Sequence, residues 1–373
     1  MKAGLYIHIP YCHAKCAYCD FYSTPDSSTA LALVDCLLTE ARLRRDELPC
    51  RPSTVYIGGG TPSSLGAEAL AGLISGLGNV FDLGGVEEFT VEVNPEDVTA
   101  HLLDTLRQTG VNRVSMGVQS LVDRELQAVG RRHTAAQAAE AARLVASRFD
   151  NFSLDLIFGL PGQTLDSLRY SLNGLVGLGA PHLSAYLLSY EQGTRLYASL
   201  MAGKIEEASE ELCEQVYRLV CDTLASAGYE HYEISNYARP GHESRHNSSY
   251  WNGTPYLGLG PGAHSFDGTV RRYNPRSIKE YITALSDVVT CCVIEPESPE
   301  NRFNDFLITR LRTSAGIVLD DSATVGFTKF ISQVMPEIER LAAQGALIKD
   351  DRHIAIPRER WLTSDAVLRQ LIV

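Results

Sequence analysis

Gly4-Leu5-Tyr6-Ile7-His8-Ile9 runs without a break into Pro10-Tyr11-Cys12-His13-Ala14-Lys15-Cys16-Ala17-Tyr18-Cys19-Asp20-Phe21. The first six residues are mostly apolar and β-favouring, and Pro10 closes them, so a strand is expected at residues 4–9. The loop that follows carries three cysteines, with three and two residues between them. Thiols so spaced can fold around one inorganic centre, and thiolates are the usual ligands of iron–sulfur clusters. Three thiolates leave one iron of a 4Fe–4S cluster without a protein ligand. Metals that bind or transform a ligand keep such an open position. Cys12, Cys16 and Cys19 are therefore the candidate metal ligands. The competing assignment is a zinc ion held by the same thiols and His8 or His13. Structural zinc sites usually draw two ligand pairs from separate segments, and the sequence holds no second pair.

Working outward, short apolar runs alternate with helical patterns through the first half of the chain. Strands are expected at residues 4–9, 54–57, 89–93, 113–118, 153–158 and 183–188. Helices are expected near 30–48, 68–77, 100–109, 135–146 and 164–178. Repeated strand–helix alternation implies parallel strands joined by crossover helices. A curved sheet or barrel built this way binds ligands at the C-terminal ends of its strands. The fold class expected is α/β, a partial (β/α)6 TIM-like barrel. A long helix follows near 206–227. Residues 229–268 are rich in Tyr, Gly, His and Asn without periodicity and suggest a lid or substrate segment. Pro296 and Pro299 mark a linker to a C-terminal, mostly helical domain with a hairpin at 346–356, turning at Asp350, Asp351 and Arg352. Three regions are thus expected: a barrel at 1–200, a segment extending it at 201–295, and a small helical domain at 296–373.

Polar residues punctuate the expected strand ends. Gly58-Gly59-Gly60-Thr61-Pro62 follows the second strand, where glycines admit a ligand close to the backbone. It lacks the lysine and the downstream glycine of a phosphate-binding loop. Glu92 and Asp155 put carboxylates in apolar strands, a costly arrangement without partners. Gln119 ends the fourth strand. The planar fork of Arg131 suits a carboxylate. Taken together, on successive strand ends, these groups point to one pocket.

The cysteine run resembles the signature of the radical S-adenosylmethionine superfamily, in which Tyr18 also matches an aromatic position. That resemblance implies a 4Fe–4S cluster whose open iron is chelated by S-adenosylmethionine, and an electron donor for the cluster. More narrowly, residues 4–10, the cysteine run, 58–62, 91–95, 117–120 and 154–162 resemble the oxygen-independent coproporphyrinogen III oxidase family. By motif position, that family implies Tyr6, Gly59 and Glu92 at one S-adenosylmethionine. It implies Tyr18, Gly60, Thr61, Gln119, Arg131 and Asp155 at a second nucleoside site. Two features depart from the oxidase. Phe21 stands where it has a fourth cysteine, and only five residues precede Tyr6, where it carries an N-terminal extension. His246-Asn247-Ser248-Ser249-Tyr250-Trp251 resembles instead the His-Asn-x-x-Tyr-Trp segment of the heme-chaperone branch, with Ser248 in place of the usual leucine. This implies heme as a further cofactor and a soluble or membrane-associated acceptor protein. His246 could supply an imidazole to iron, and Tyr250 and Trp251 ring surface. His242 and His264 are competing ligands, and the Gly-rich turn at 258–264 has no assigned role. The alternative function is decarboxylation of coproporphyrinogen III.

Composition narrows the classes. The 373 residues carry 33 basic and 45 acidic side chains, a net charge of −12, which a phosphate backbone would repel. General nucleic-acid binding is therefore not expected. No apolar run reaches bilayer-spanning length, and residues 1–10 do not read as a signal peptide, so a cytoplasmic protein is expected. Nine cysteines, an odd number, argue against a disulfide scaffold. The six outside the cluster loop read as small buried hydrophobes.

Overall fold

The computed structural model describes residues 2–373. Six strands form where the apolar runs lie: β1 (Gly4–Ile9), β2 (Thr54–Gly59), β3 (Glu88–Val93), β4 (Arg113–Gln119), β5 (Phe152–Phe158) and β6 (His182–Leu187). They pair in parallel and in sequence order. Parallel neighbours need a crossover. The helices Ala30–Arg44, Ala67–Gly78, Ala100–Gln108, Ala135–Ala146 and Leu165–Gly177 supply it. β4 is buried along its whole length, as a strand covered on both faces must be. Thr134 and Thr164 open their helices with reciprocal capping boxes, which satisfy the first helical N–H groups. β2 runs two residues beyond its expected end, so Gly58 and Gly59 belong to the strand.

Residues 229–268 are more regular than their composition suggests. They hold β7 (Glu230–Glu233), β8 (Asn236–Ala238), β9 (Tyr256–Leu259), β10 (His264–Phe266) and a helix at Arg245–Asn252. Each strand has only three or four residues, too short for an alternating pattern to show. β8 and β7 extend the sheet past β6 in antiparallel fashion. On the other side β9 lies parallel to β1, followed by β10, β11 (Arg271–Tyr273) and β12 (Val293–Ile294), all antiparallel. The sheet therefore has twelve strands, with the six expected ones as its parallel centre.

The C-terminal part contains the helices Pro299–Leu311 and Thr328–Ala343 and a hairpin of β14 (Ile348–Lys349) and β15 (His353–Ala355), preceded by β13 (Ile317–Val318). The Asp350 carboxylate accepts the N–H groups of Arg352 and His353 and so closes the hairpin turn. β13 joins it as a third strand, against β15. One apolar core runs from Leu5 and Ile7 in β1 to Phe303 and Trp361 near the end of the chain.

Candidate cofactor site

The loop after β1 is pinned at both ends. Cys12 N donates to the Thr24 carbonyl at 3.0 Å, Ala17 N to the Val129 carbonyl at 2.9 Å, and Leu196 N to the Ala17 carbonyl at 2.8 Å. Between Cys16 and Cys19 the loop also rests on a small apolar cluster of Val129, Ile157, Leu160, Leu188 and Leu196, against which Ala17 and Tyr18 pack. The three thiols are thus presented over the C-terminal end of the parallel sheet. There they line a cavity of about 510 Å³, in the range of small-molecule sites. The same cavity is lined by Tyr18, Gly59, Gly60, Thr61, Glu92, Gln119, Arg131 and Asp155. Among the described residues no three His, Cys, Asp or Glu side chains converge on a single point as ligands of one ion would. The thiols share a wall instead.

The chemistry of the walls fits a polar ligand close to the thiols. Thr61 Oγ1 lies 3.4 Å from Cys12 Sγ, and Arg131 Nη1 lies 3.5 Å from Cys16 Sγ. The guanidinium of Arg131 is held by Asn94 Oδ1 at 2.8 Å and the Gly117 carbonyl at 2.6 Å, which leaves Nε buried without a partner. The side-chain Oε1 of Gln119 is likewise buried and unpartnered. A protein does not normally desolvate such groups without reward. A ligand carrying both donors and acceptors would complete both. Gln119 itself sits at φ 67°, a left-handed conformation uncommon for a non-glycine residue, where the β4–β5 register shifts. Gly60 leaves room that a side chain would take, since a Cβ there would come 2.6 Å from the Tyr11 carbonyl oxygen.

Burial raises the two carboxylates. Glu92 is pushed up to about 7, although Tyr56 donates to it at 2.7 Å and Gly59 N at 3.1 Å. Asp155 is pushed up to about 6, with Ser115 Oγ 3.4 Å away. Burial also raises the Cys12 and Cys19 thiols. The cost of charging Glu92 has a testable consequence. A folded pKa above the unfolded value means stability present below about pH 4.5 and lost as pH rises through 7. The shift corresponds to about 3 kcal/mol. Urea unfolding of the apoprotein should therefore show a larger fall in stability between pH 5 and pH 8 than that of Glu92→Gln. Equal falls would mean that Glu92 is charged at little cost.

Asn94, which lines the cavity, and Tyr56, which donates to Glu92 behind it, went unrecognised in the sequence. Asn94 bridges Arg131 Nη2 and Thr61 Oγ1, the latter at 3.0 Å. Its place two residues after Glu92 on the same strand path was the available signal. Tyr56 has no such signal, because its role is to support Glu92 from the neighbouring strand.

Four residues expected at cofactors lie elsewhere. Tyr6 is inside the sheet's curve, below the cavity, with its hydroxyl 3.0 Å from His8 Nδ1. His246, Tyr250 and Trp251 belong to the helix Arg245–Asn252, not to a loop. This helix sits at the opposite end of the strands. His246 Nδ1 lies 2.9 Å from Thr54 Oγ1 at the start of β2, and a Cβ on Gly4 at the start of β1 would come 3.2 Å from the His246 ring. Its Nε2 lies 2.8 Å from the Tyr250 hydroxyl. The imidazole is wholly buried, stacked on Tyr56 at 5.1 Å, and pushed down to about 3 by burial. Glu88, at the start of β3, accepts the N–H groups of Arg245 and His246, each at 2.9 Å, and so anchors the N-terminus of the helix. Both His246 ring nitrogens are therefore engaged in hydrogen bonds, to Thr54 and Tyr250.

The Radical SAM superfamily model matches residues 6–173, from β1 into the fifth crossover helix, Leu165–Gly177. A Mycobacterium tuberculosis protein named heme chaperone HemW is 34% identical over 381 residues, covering 99% of this chain and 94% of its own. The chain belongs to the HemW family of radical S-adenosylmethionine proteins. The Bacillus subtilis HemW heme chaperone is 39% identical over 297 residues, covering 77% of this chain and 76% of its own. The structure of coproporphyrinogen III oxidase (HemN) from Escherichia coli superposes with a TM-score of 0.83 at 22% identity, covering 100% of this chain and 90% of that one. That likeness shows the fold: a radical SAM sheet with its helical C-terminal part. For a HemW-family chain the superfamily implies the 4Fe–4S cluster and S-adenosylmethionine, and the cavity supplies three thiols and unsatisfied polar groups of the right kind for both. No helix of the described residues is long and apolar enough to cross a membrane.

Proposed function

We propose that this chain is a cytoplasmic heme chaperone that binds heme, carries a 4Fe–4S cluster with S-adenosylmethionine, and passes heme to an acceptor protein. The observation that carries the reading is similarity along nearly the whole chain to a curated heme chaperone, with 99% of the chain aligned. In this reading Cys12, Cys16 and Cys19 hold the cluster. Arg131 takes the carboxylate of S-adenosylmethionine, the chemistry its fork favours. Gly59, Gly60 and Thr61 let the ligand approach the backbone, Glu92 faces its ammonium or ribose, and Gln119 and Asp155 complete the polar wall. Tyr18 packs the loop from beneath. Tyr6 contributes from below by orienting His8 and the strand end. When bound, the reduced cluster and S-adenosylmethionine can supply a carbon-centred radical. An electron donor for the cluster is therefore part of the proposal. Residues 1–200 carry this cofactor unit, residues 201–295 complete its sheet, and residues 296–373 form an appended helical unit. The acceptor is soluble or membrane-associated.

The test uses anaerobically reconstituted full-length protein. Hemin should bind near one equivalent. The same sample given coproporphyrinogen III, S-adenosylmethionine and reductant should form no protoporphyrinogen beyond a trace. Product at many turnovers, without saturable hemin binding, would replace this reading with the oxidase.

A further inference from the structure

His133 closes the run Gly130-Arg131-Arg132-His133 but does not itself line the cavity. Its side chain is wholly buried. Nε2 lies 3.1 Å from the Val118 carbonyl oxygen, and Nδ1 lies 3.3 Å from Glu96 Oε2. Both partners only accept, so the ring bonds both at once only with a proton on each nitrogen. His182 and His246, also buried, instead face hydroxyls, which can give or take. Burial works against the charge of Glu96, yet the bond from His133 and the nearby Arg131 hold its carboxyl below the usual range. Arg131 and His133, two residues apart, thus bridge the same two strand ends. Arg131 reaches Asn94 and the Gly117 carbonyl on the cavity wall, and His133 reaches Glu96 and the Val118 carbonyl behind it.

The carbonyl that His133 holds belongs to the turn that aims Gln119. Ser120 N also donates to it, at 2.9 Å, across Gln119 at φ 67°. A three-residue turn with positive φ at its centre is rare and strained. Such strain persists only where the surroundings over-determine it. Here His133 is the second donor on the Val118 carbonyl, and at the other end of the turn Ser120 Oγ donates to the buried Glu125 at 2.6 Å. The turn folds the amide of Gln119 over Gly117. A Cβ on Gly117 would come 2.8 Å from Gln119 Nε2 and 3.3 Å from Arg131 Nη2. The amide therefore lies beside the guanidinium, with its Oε1 unpartnered. His133 is itself fixed in place. Arg131 N, two residues before it, donates to the Leu126 carbonyl at 2.9 Å, and Thr134, next to it, caps the following helix.

Resting on the S-adenosylmethionine reading above, we infer that His133 is a positioning residue of that site, holding the turn of Gln119 through the Val118 carbonyl so that the amide meets the ligand already oriented. A group held in place before binding loses less freedom on binding, and so a residue outside the cavity raises affinity.

The test is the EPR spectrum of the reduced cluster in the reconstituted full-length chain, titrated with S-adenosylmethionine and normalised to cluster content. His133→Ala should raise the half-saturating concentration by about tenfold or more, the usual scale for a supporting bond behind a ligand-holding group. His133→Gln puts its amide where Nε2 stands and keeps the bond to Val118, so it should stay within about threefold of the wild type. His133→Asn puts its amide where Nδ1 stands, keeps only Glu96, and should behave as His133→Ala. In a Gln119→Ala background, His133→Ala should cost less than about twofold more, because both changes act through one amide. His101→Ala, at an exposed pair with Glu68, is the neutral control. If His133→Ala does not load a cluster, the glutamine and asparagine variants decide. A purely structural His133 would lower the yield of loaded chain but leave that chain at wild-type affinity, and this result would overturn the inference. Rescue by asparagine but not glutamine would overturn it as well, as would a loss as large in Gln119→Ala as in the wild type. A wild-type spectrum unchanged by saturating S-adenosylmethionine would sink the cofactor reading and this inference with it.

Discussion

Serine at any one of positions 12, 16 or 19 should abolish the cluster. Anaerobically reconstituted wild-type protein should hold about four irons per chain, as a 4Fe–4S centre on three thiolates requires. The variants should hold close to none, because two thiolates leave two irons of the cube without protein ligands. Cys213→Ser and Cys291→Ser provide the contrast. Neither residue lines the cavity: Cys213 faces the Ala208 carbonyl, and Cys291 packs on the apolar core. Both should load iron as the wild type does. Iron and acid-labile sulfide measured on the same samples decide the matter. Stoichiometric zinc without sulfide in protein purified without oxygen would contradict the assignment.

The second large effect is expected at the other end of the sheet. His246→Ala should destabilise the fold by about 3–5 kcal/mol, the range for removing a large buried ring together with its hydrogen bonds. The loss has three parts. A cavity opens against Tyr56, and Thr54 Oγ1 and the Tyr250 hydroxyl lose the partners they have at 2.9 and 2.8 Å. Urea unfolding should show a lower midpoint with an unchanged slope. His246→Gln should recover part of the loss, because its amide offers both a donor and an acceptor. A loss under about 1 kcal/mol would mean that the helix does not seal the lower end of the sheet through this residue.

These two predictions mark how far the sequence could be read. The parallel centre was legible because each strand is a local pattern: a run of six or seven residues rich in apolar side chains, bounded by turn signals, and in all but the last followed by a helical period that crosses back. The cysteine loop was legible for the same reason, since its ligands are adjacent in the chain. Glu92, Gln119 and Asp155 could be gathered into one pocket because parallel strands all end on one side. His246 could not be placed this way. Its contact with Thr54 spans 192 residues, and it depends on β9 pairing with β1. Nothing within the eight residues of its helix says which end of the sheet they face. The strands flanking the parallel centre failed for a physical reason as well. Two to four residues cannot display a period, and their conformation is set by the neighbouring strand. Gln119 shows the reverse case. The sequence placed it at a strand end, yet only the backbone reveals the left-handed turn and the orphaned amide oxygen that point to a missing ligand.

The measurement that tests the chaperone reading most directly is heme delivery. The reconstituted chain, loaded with one equivalent of hemin and freed of excess, is mixed with membranes and soluble extract from heme-starved cells of its own source. The account predicts that the chain's Soret band falls as heme-protein spectra rise in one of those fractions, and that this outpaces uptake of free hemin at the same concentration. Heme that stays on the chain, or uptake no faster than from free hemin, would contradict it.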